Sequence, residues 1–218
     1  MKFTREEIAK ALKLYVITDR IWLKEDETLL SVCEKVIQNG ATFLQLREKE
    51  LNAEETRKEA IELQKLCRSY KIPFVVNDSV EIAMEMDADG VHVGQSDIKD
   101  RDIRAILGPD KILGMTAKTV EQAVAAEKAG ADYIGTGAVF GSTTKKDAKN
   151  LSIEELKKIA ASVNIPVVAI GGINSENVSR LEGSGVNGAA VISGIFAAED
   201  PAEKASEMSR LTDIFCKK

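Results

Sequence analysis

The chain has 218 residues, 44% hydrophobic and 30% charged, which suits one soluble domain whose core needs no disulfides or structural metal. Its net charge of -5 gives no electrostatic reason to coat nucleic acid or an anionic membrane, so an anionic small substrate would need a local basic site. No apolar run approaches the ~20 residues of a membrane span, and Met1-Lys2-Phe3-Thr4-Arg5-Glu6-Glu7 lacks the apolar core of a signal peptide.

Thr4–Lys13 predicts a helix ahead of the first strand, opened by a capping box at Thr4 and Glu7. Eight short apolar runs come after it: Leu14–Thr18, Thr42–Leu46, Phe74–Asn77, Gly90–Val93, Ile112–Thr116, Tyr133–Gly135, Val167–Ile170 and Ala189–Ile192. They are rich in Val and Ile and bounded by Gly, Pro or polar residues, as strands buried on both faces are. Helical stripes alternate with them, clearest in Thr28–Gln38 and Glu54–Tyr70. Thr119 with Gln122 and Ser152 with Glu155 read as further capping boxes. Gly40, Gly130 and Gly185 fall where left-handed helix ends are wanted.

The expected fold is therefore α/β: one (β/α)8 TIM barrel over residues 1–218, with an extra N-terminal helix over residues 1–13. An open doubly wound sheet is the alternative, but no Gly-x-Gly-x-x-Gly stands at the first turn. Cys33, Cys67 and Cys216 are odd in number and widely spaced, which predicts reduced structural thiols and a cytoplasmic protein. With a single histidine, they cannot build a closed zinc site.

In such a barrel the active site gathers at the C-terminal strand ends. After the second run, period-two alternation sends Gln45, Arg47 and Lys49 to one side, an amide and two cations suited to phosphate oxygens. The competing reading is a solvated loop with Glu48 and Glu50 as salt partners. Asp78 and Asp97 come after the third and fourth runs and suit one Mg2+. Each also reads as a helix cap, Asp78 with Glu81 and Asp97 ahead of Ile98–Leu107. The segment from Gly137 to about Asn150 is long for a βα connection and carries hydroxyls and lysines, as a lid over a site would. Gly171-Gly172-Ile173-Asn174 and Ser193-Gly194 come after the last two runs, where this fold commonly binds phosphate. His92 fits both a core histidine and a ligand contact.

Taken in order, Tyr15-Val-Ile-Thr-Asp19, Gln45-Leu-Arg-Glu-Lys49, Val76-Asn-Asp78, Asp89-Gly-Val-His-Val-Gly-Gln-Ser-Asp97, Ser142-Thr-Thr-Lys-Lys146, Ala169-Ile-Gly-Gly-Ile173 and Val191-Ile-Ser193 resemble the thiamine-phosphate synthase family over about residues 14–201. The resemblance implies a transferase that joins hydroxymethylpyrimidine diphosphate to thiazole phosphate and releases diphosphate. Gln45, Arg47, Lys49 and Asn77 would bind the pyrimidine diphosphate, with Thr116 in place of the usual serine on the pyrimidine. Mg2+ would sit on Asp78 and Asp97. Lys145 would contact diphosphate, and with Arg47 and Lys49 it is the catalytic set. Ser142 and Thr144 would meet the thiazole substrate, with Gly172, Ile192 and Ser193 around its phosphate. Two departures stand out. Lys118 occupies a position where the family often has histidine, and Ser142 replaces a commoner threonine. A sister thiazole tautomerase uses that histidine and tends to lose the Asn77-Asp78 pair, so both features favour the synthase. A non-catalytic phosphate-ligand sensor on the same barrel is the third reading; it needs no metal pair. No nucleic-acid or membrane partner is expected.

Overall fold

The computed structural model describes residues 3–95, 101–141 and 150–216. Its strands are β1 (Leu14–Ile17), β2 (Phe43–Leu46), β3 (Phe74–Asn77), β4 (Gly90–Val93), β5 (Ile112–Thr116), β6 (Tyr133–Gly137), β7 (Val167–Ile170) and β8 (Gly188–Val191). They close a barrel in sequence order with every pair parallel, β8 returning to β1 through Tyr15 opposite Ala190. Closure excludes the open doubly wound sheet. The strands read as unbroken apolar runs because both faces are covered. Leu14, Val16, Leu44, Leu46, Val91 and Val93 pack outward against helices. Tyr15, Phe43, Val75, Ile112, Tyr133 and Val168 fill the interior.

The outer ring comprises α2 (Leu29–Gln38), α3 (Ala53–Tyr70), α4 (Val80–Glu85), α5 (Ile103–Leu107), α6 (Val120–Lys128), α7 (Ile153–Ala161), α8 (Ser193–Phe196) and α9 (Pro201–Phe215). Thr28, Asn52, Ser152 and Asp200 cap four of them through side-chain oxygens on first-turn amides. The box at Ser152 and Glu155 is reciprocal. At Thr119 only the forward bond forms, because the Gln122 side chain takes the Lys118 amide instead. Asp102 caps α5, with Oδ1 3.0 Å from the Ala105 amide. Between β7 and β8 a 3-10 turn, Val178–Leu181, replaces the regular helix that strict alternation predicts. Asn174 and Asn177 tie that segment into side-chain-to-backbone turns, and the positive-φ glycines Gly183 and Gly185 stop the turn from extending into a helix. α9 packs over the short turn. Cys33 and Cys67 are free thiols in the core, and burial pushes both above their ordinary range.

The predicted N-terminal helix is α1 (Arg5–Ala11), opened by the Thr4–Glu7 box. Ile8 and Leu12, one turn apart, join Tyr15 and Phe43 in the inner core and stopper one end of the barrel. Leu12→Ala is expected to lower the unfolding free energy by about 2–5 kcal/mol, since a wholly buried leucine leaves a cavity. Denaturant unfolding checks this; a loss under about 0.5 kcal/mol would mean that α1 does not plug the barrel in solution.

Candidate active site

Opposite the plug, the C-terminal strand ends surround a cavity of about 520 Å³. Tyr15, Gln45, His92 and Thr116 lie deep in it, and Arg47, Lys49, Asn77 and Asp78 stand on one wall. The cations are held there by their surroundings. Asp19 Oδ2 lies 3.5 Å from Arg47 Nη1, and the Arg47 amide donates to the Thr18 hydroxyl at 2.9 Å. Glu48 turns the other way. One of its oxygens takes Arg20 Nε at 2.6 Å, and the other accepts the amides of Lys49 and Glu50 at 2.7 Å each. Glu48 is thus a bracket for the Lys49 loop, paired with Arg20 and not with Arg47 or Lys49, while Lys49 and Glu50 stay exposed. Burial opposes its ionisation, yet the Glu50 amide and Arg20 together hold its carboxyl below the usual range. Arg20 also grips Glu59, at 2.7 and 2.8 Å, whose carboxyl burial pushes up.

Asp78 does not cap the next helix. Ser79 does, accepting the Ile82 amide at 3.2 Å. Asp78 instead sits in the left-handed region at φ 62°, its amide on the His92 carbonyl at 2.8 Å. Its Oδ2 accepts Asn77 Nδ2 at 2.6 Å and lies 3.9 Å from Lys49 Nζ. A non-glycine residue in that region carries strain of order 1–3 kcal/mol, which tends to persist where a side chain must be aimed.

His92 faces the interior, which its own strand pattern left open. Its ring nitrogens meet the Tyr133 hydroxyl at 3.0 Å and Thr116 Oγ1 at 3.1 Å. Tyr15 and Tyr133, which the polar-residue reading passed over, bond to each other at 2.8 Å. The signal available for them was a polar tip inside an otherwise aliphatic strand.

Ile192 lines the cavity as well. Gly172 and Ser193 do not, although they stand at the ends of β7 and β8 on the same barrel face. Gly172 has φ 63°, and a Cβ there would overlap the Phe140 carbonyl oxygen, so only glycine fits that crossing. Asp97, Ser142, Thr144 and Lys145 lie outside the described residues, as does most of the segment read as a lid. Among the described residues no three acidic, His or Cys side chains gather as a metal cage. Asp78 presents a part-exposed carboxylate to the cavity, a hard oxygen donor of the type that Mg2+ takes together with phosphate.

A family model described as thiamine monophosphate synthase matches residues 14–195. The chain is 47% identical to the thiamine-phosphate synthase of Clostridium acetobutylicum, over 90% of this chain and 92% of that one. It is 45% identical to the thiamine-phosphate synthase of Ruminiclostridium cellulolyticum, over 94% and 96%. The solved thiamine phosphate pyrophosphorylase of Pyrococcus furiosus superposes with a TM-score of 0.87 at 38% identity, covering 95% of this chain and 98% of that one. A closed barrel, a cationic wall at its mouth and likeness along nearly the whole sequence converge: the chain belongs to the thiamine monophosphate synthase family.

Proposed function

We propose that this enzyme of thiamine biosynthesis condenses hydroxymethylpyrimidine diphosphate with thiazole phosphate to give thiamine phosphate and diphosphate. The observation that carries the reading is the meeting of Arg47, Lys49, Asn77 and Asp78 on one wall of a cavity whose depths are aromatic and amide-lined. Arg47 offers a planar fork and Lys49 a point charge, and both face the oxygens of the leaving group. Gln45, Asn77 and Thr116 hold the pyrimidine. Asp78, with Asp97 as the second carboxylate, would hold Mg2+, which when bound would supply positive charge to the diphosphate. Lys145 is assigned to the same diphosphate, Ser142 and Thr144 to the thiazole, and Gly172, Ile192 and Ser193 to its phosphate.

The bond between the pyrimidine methylene and the diphosphate oxygen breaks, and the electron pair leaves with the oxygen. The pyrimidine methyl cation is then captured by the thiazole nitrogen. Negative charge builds on the departing oxygens, where cations already in place stabilise it. The nucleophile is already unprotonated, so the site needs proximity and no general base.

Mixing both substrates with Mg2+ should release diphosphate in step with thiamine phosphate, and omitting either substrate should abolish it. A tautomerase would rearrange the thiazole alone, and a sensor would bind without turnover; either result would overturn the proposal. Lys118 lines the cavity where the tautomerase keeps its histidine. The synthase needs no proton shuttle there, so Lys118→Ala is expected to keep its rate within about tenfold. A loss beyond about a hundredfold, or roughly 2.7 kcal/mol, would give that side chain a part in the reaction.

A further inference from the structure

Beneath the cationic wall, one chain of hydrogen bonds crosses the barrel from β2 to β5. The Gln45 side-chain amide donates to the Tyr15 hydroxyl. Tyr15 and Tyr133 hydroxyls lie 2.8 Å apart, Tyr133 lies 3.0 Å from His92 Nδ1, and His92 Nε2 lies 3.1 Å from Thr116 Oγ1. Its two ends, Gln45 and Thr116, both line the cavity. Space for the central link is kept by Gly114, where a Cβ would overlap the Tyr133 hydroxyl and come within 2.6 Å of His92 Nδ1. Burial pushes both phenols well above their ordinary range, so each keeps its proton near neutral pH.

A neutral phenol has one proton to give, and a neutral imidazole has one N–H. Each link therefore sets the next. With the Gln45 NH2 on Tyr15, the Tyr15 proton goes to Tyr133 and the Tyr133 proton goes to His92 Nδ1. The imidazole N–H is then on Nε2 and points at Thr116, whose own proton is left for the cavity. Turning the Gln45 amide over reverses every link, and Thr116 then only accepts from a ligand.

We infer that Tyr15, Tyr133 and His92 are positioning residues that make the Gln45 amide and the Thr116 hydroxyl a single coupled reader of the bound ring. With the Gln45 NH2 on Tyr15, Gln45 offers the cavity an acceptor and Thr116 a donor. That pair complements an aminopyrimidine, which supplies an amino donor and a ring-nitrogen acceptor. It mismatches the oxo analogue, which supplies a carbonyl and a ring N–H. The inference rests on the aminopyrimidine reading of the substrate and adds to it the device that selects amino over oxo.

His92 is the only histidine in the chain, so a two-bond proton–nitrogen correlation spectrum of untagged protein reports its tautomer without any substrate. At pH 8 the wild type should show Nε2–H. Gln45→Glu places an acceptor-only carboxylate on Tyr15 and should switch His92 to Nδ1–H, although Gln45 does not touch it. Combined with Tyr133→Phe, the same substitution should no longer move the tautomer. Wild-type Nδ1–H, a mixture of tautomers, or a tautomer indifferent to Gln45→Glu would each overturn the inference. Should Gln45→Glu not fold, Tyr133→Phe alone decides by kinetics. It should cut the preference for the amino over the oxo pyrimidine diphosphate in kcat/KM by about tenfold, whereas a merely structural loss lowers both alike. An unchanged preference would refute the coupling. If the tautomer switches but wild type turns over neither pyrimidine, the substrate reading falls and the coupled chain stands.

Discussion

Arg47→Ala is expected to lower kcat/KM for the pyrimidine diphosphate by about 10²- to 10³-fold, the usual cost of removing one preorganised group from developing charge. Two effects add. The planar fork is lost from the cavity wall. Asp19, whose side chain is only 8% exposed, also loses its cationic partner 3.5 Å away, which leaves a buried carboxyl uncompensated beside the site. Arg47→Lys restores charge without the fork and should recover only part of the rate. Steady-state kinetics of the three proteins, with circular dichroism to show that each is folded, tests the assignment. If Arg47→Ala stays within tenfold of wild type, the diphosphate lies elsewhere.

Asp78 carries the second large expectation. Asp78→Asn should depress Mg2+-dependent turnover by about a hundredfold, because an amide keeps the shape but not the hard anionic oxygen that Mg2+ prefers. Asparagine tolerates the left-handed backbone, so the change isolates charge from conformation. Asp78→Gly should be as inactive and yet unfold no more easily than wild type, since glycine adopts φ 62° without steric cost. Mg2+ and diphosphate titrations by calorimetry, set beside thermal melts, separate the two contributions. Unchanged Mg2+ dependence in both variants would remove Asp78 from the metal site.

The eight strands were legible because burial on both faces leaves little but Val, Ile, Leu and Ala to choose from. Gln45, Arg47 and Lys49 were legible because three polar residues at alternate positions after an apolar run can share only one side. Asp78 was not resolved by its neighbours: aspartate and serine both make good caps, and only the left-handed turn gives the cap to Ser79. Tyr15, His92 and Tyr133 were harder still. An aromatic with a polar tip suits either face of a strand, and its direction is settled only when barrel closure sets Asn77 opposite His92 and Thr116 opposite Gly135. The 3-10 turn after β7 escaped because its apolar pair, Val178 and Leu181, has helical spacing, while the length of the segment is decided by α9 packing across it.

Ile8 and Leu12 also decide how traffic runs through the molecule. With the floor stoppered, the interior is a cul-de-sac. Whatever settles on Tyr15 and Gln45 enters and leaves past the strand-end mouth. That single entrance is set by two aliphatic side chains that stand outside the cavity lining altogether.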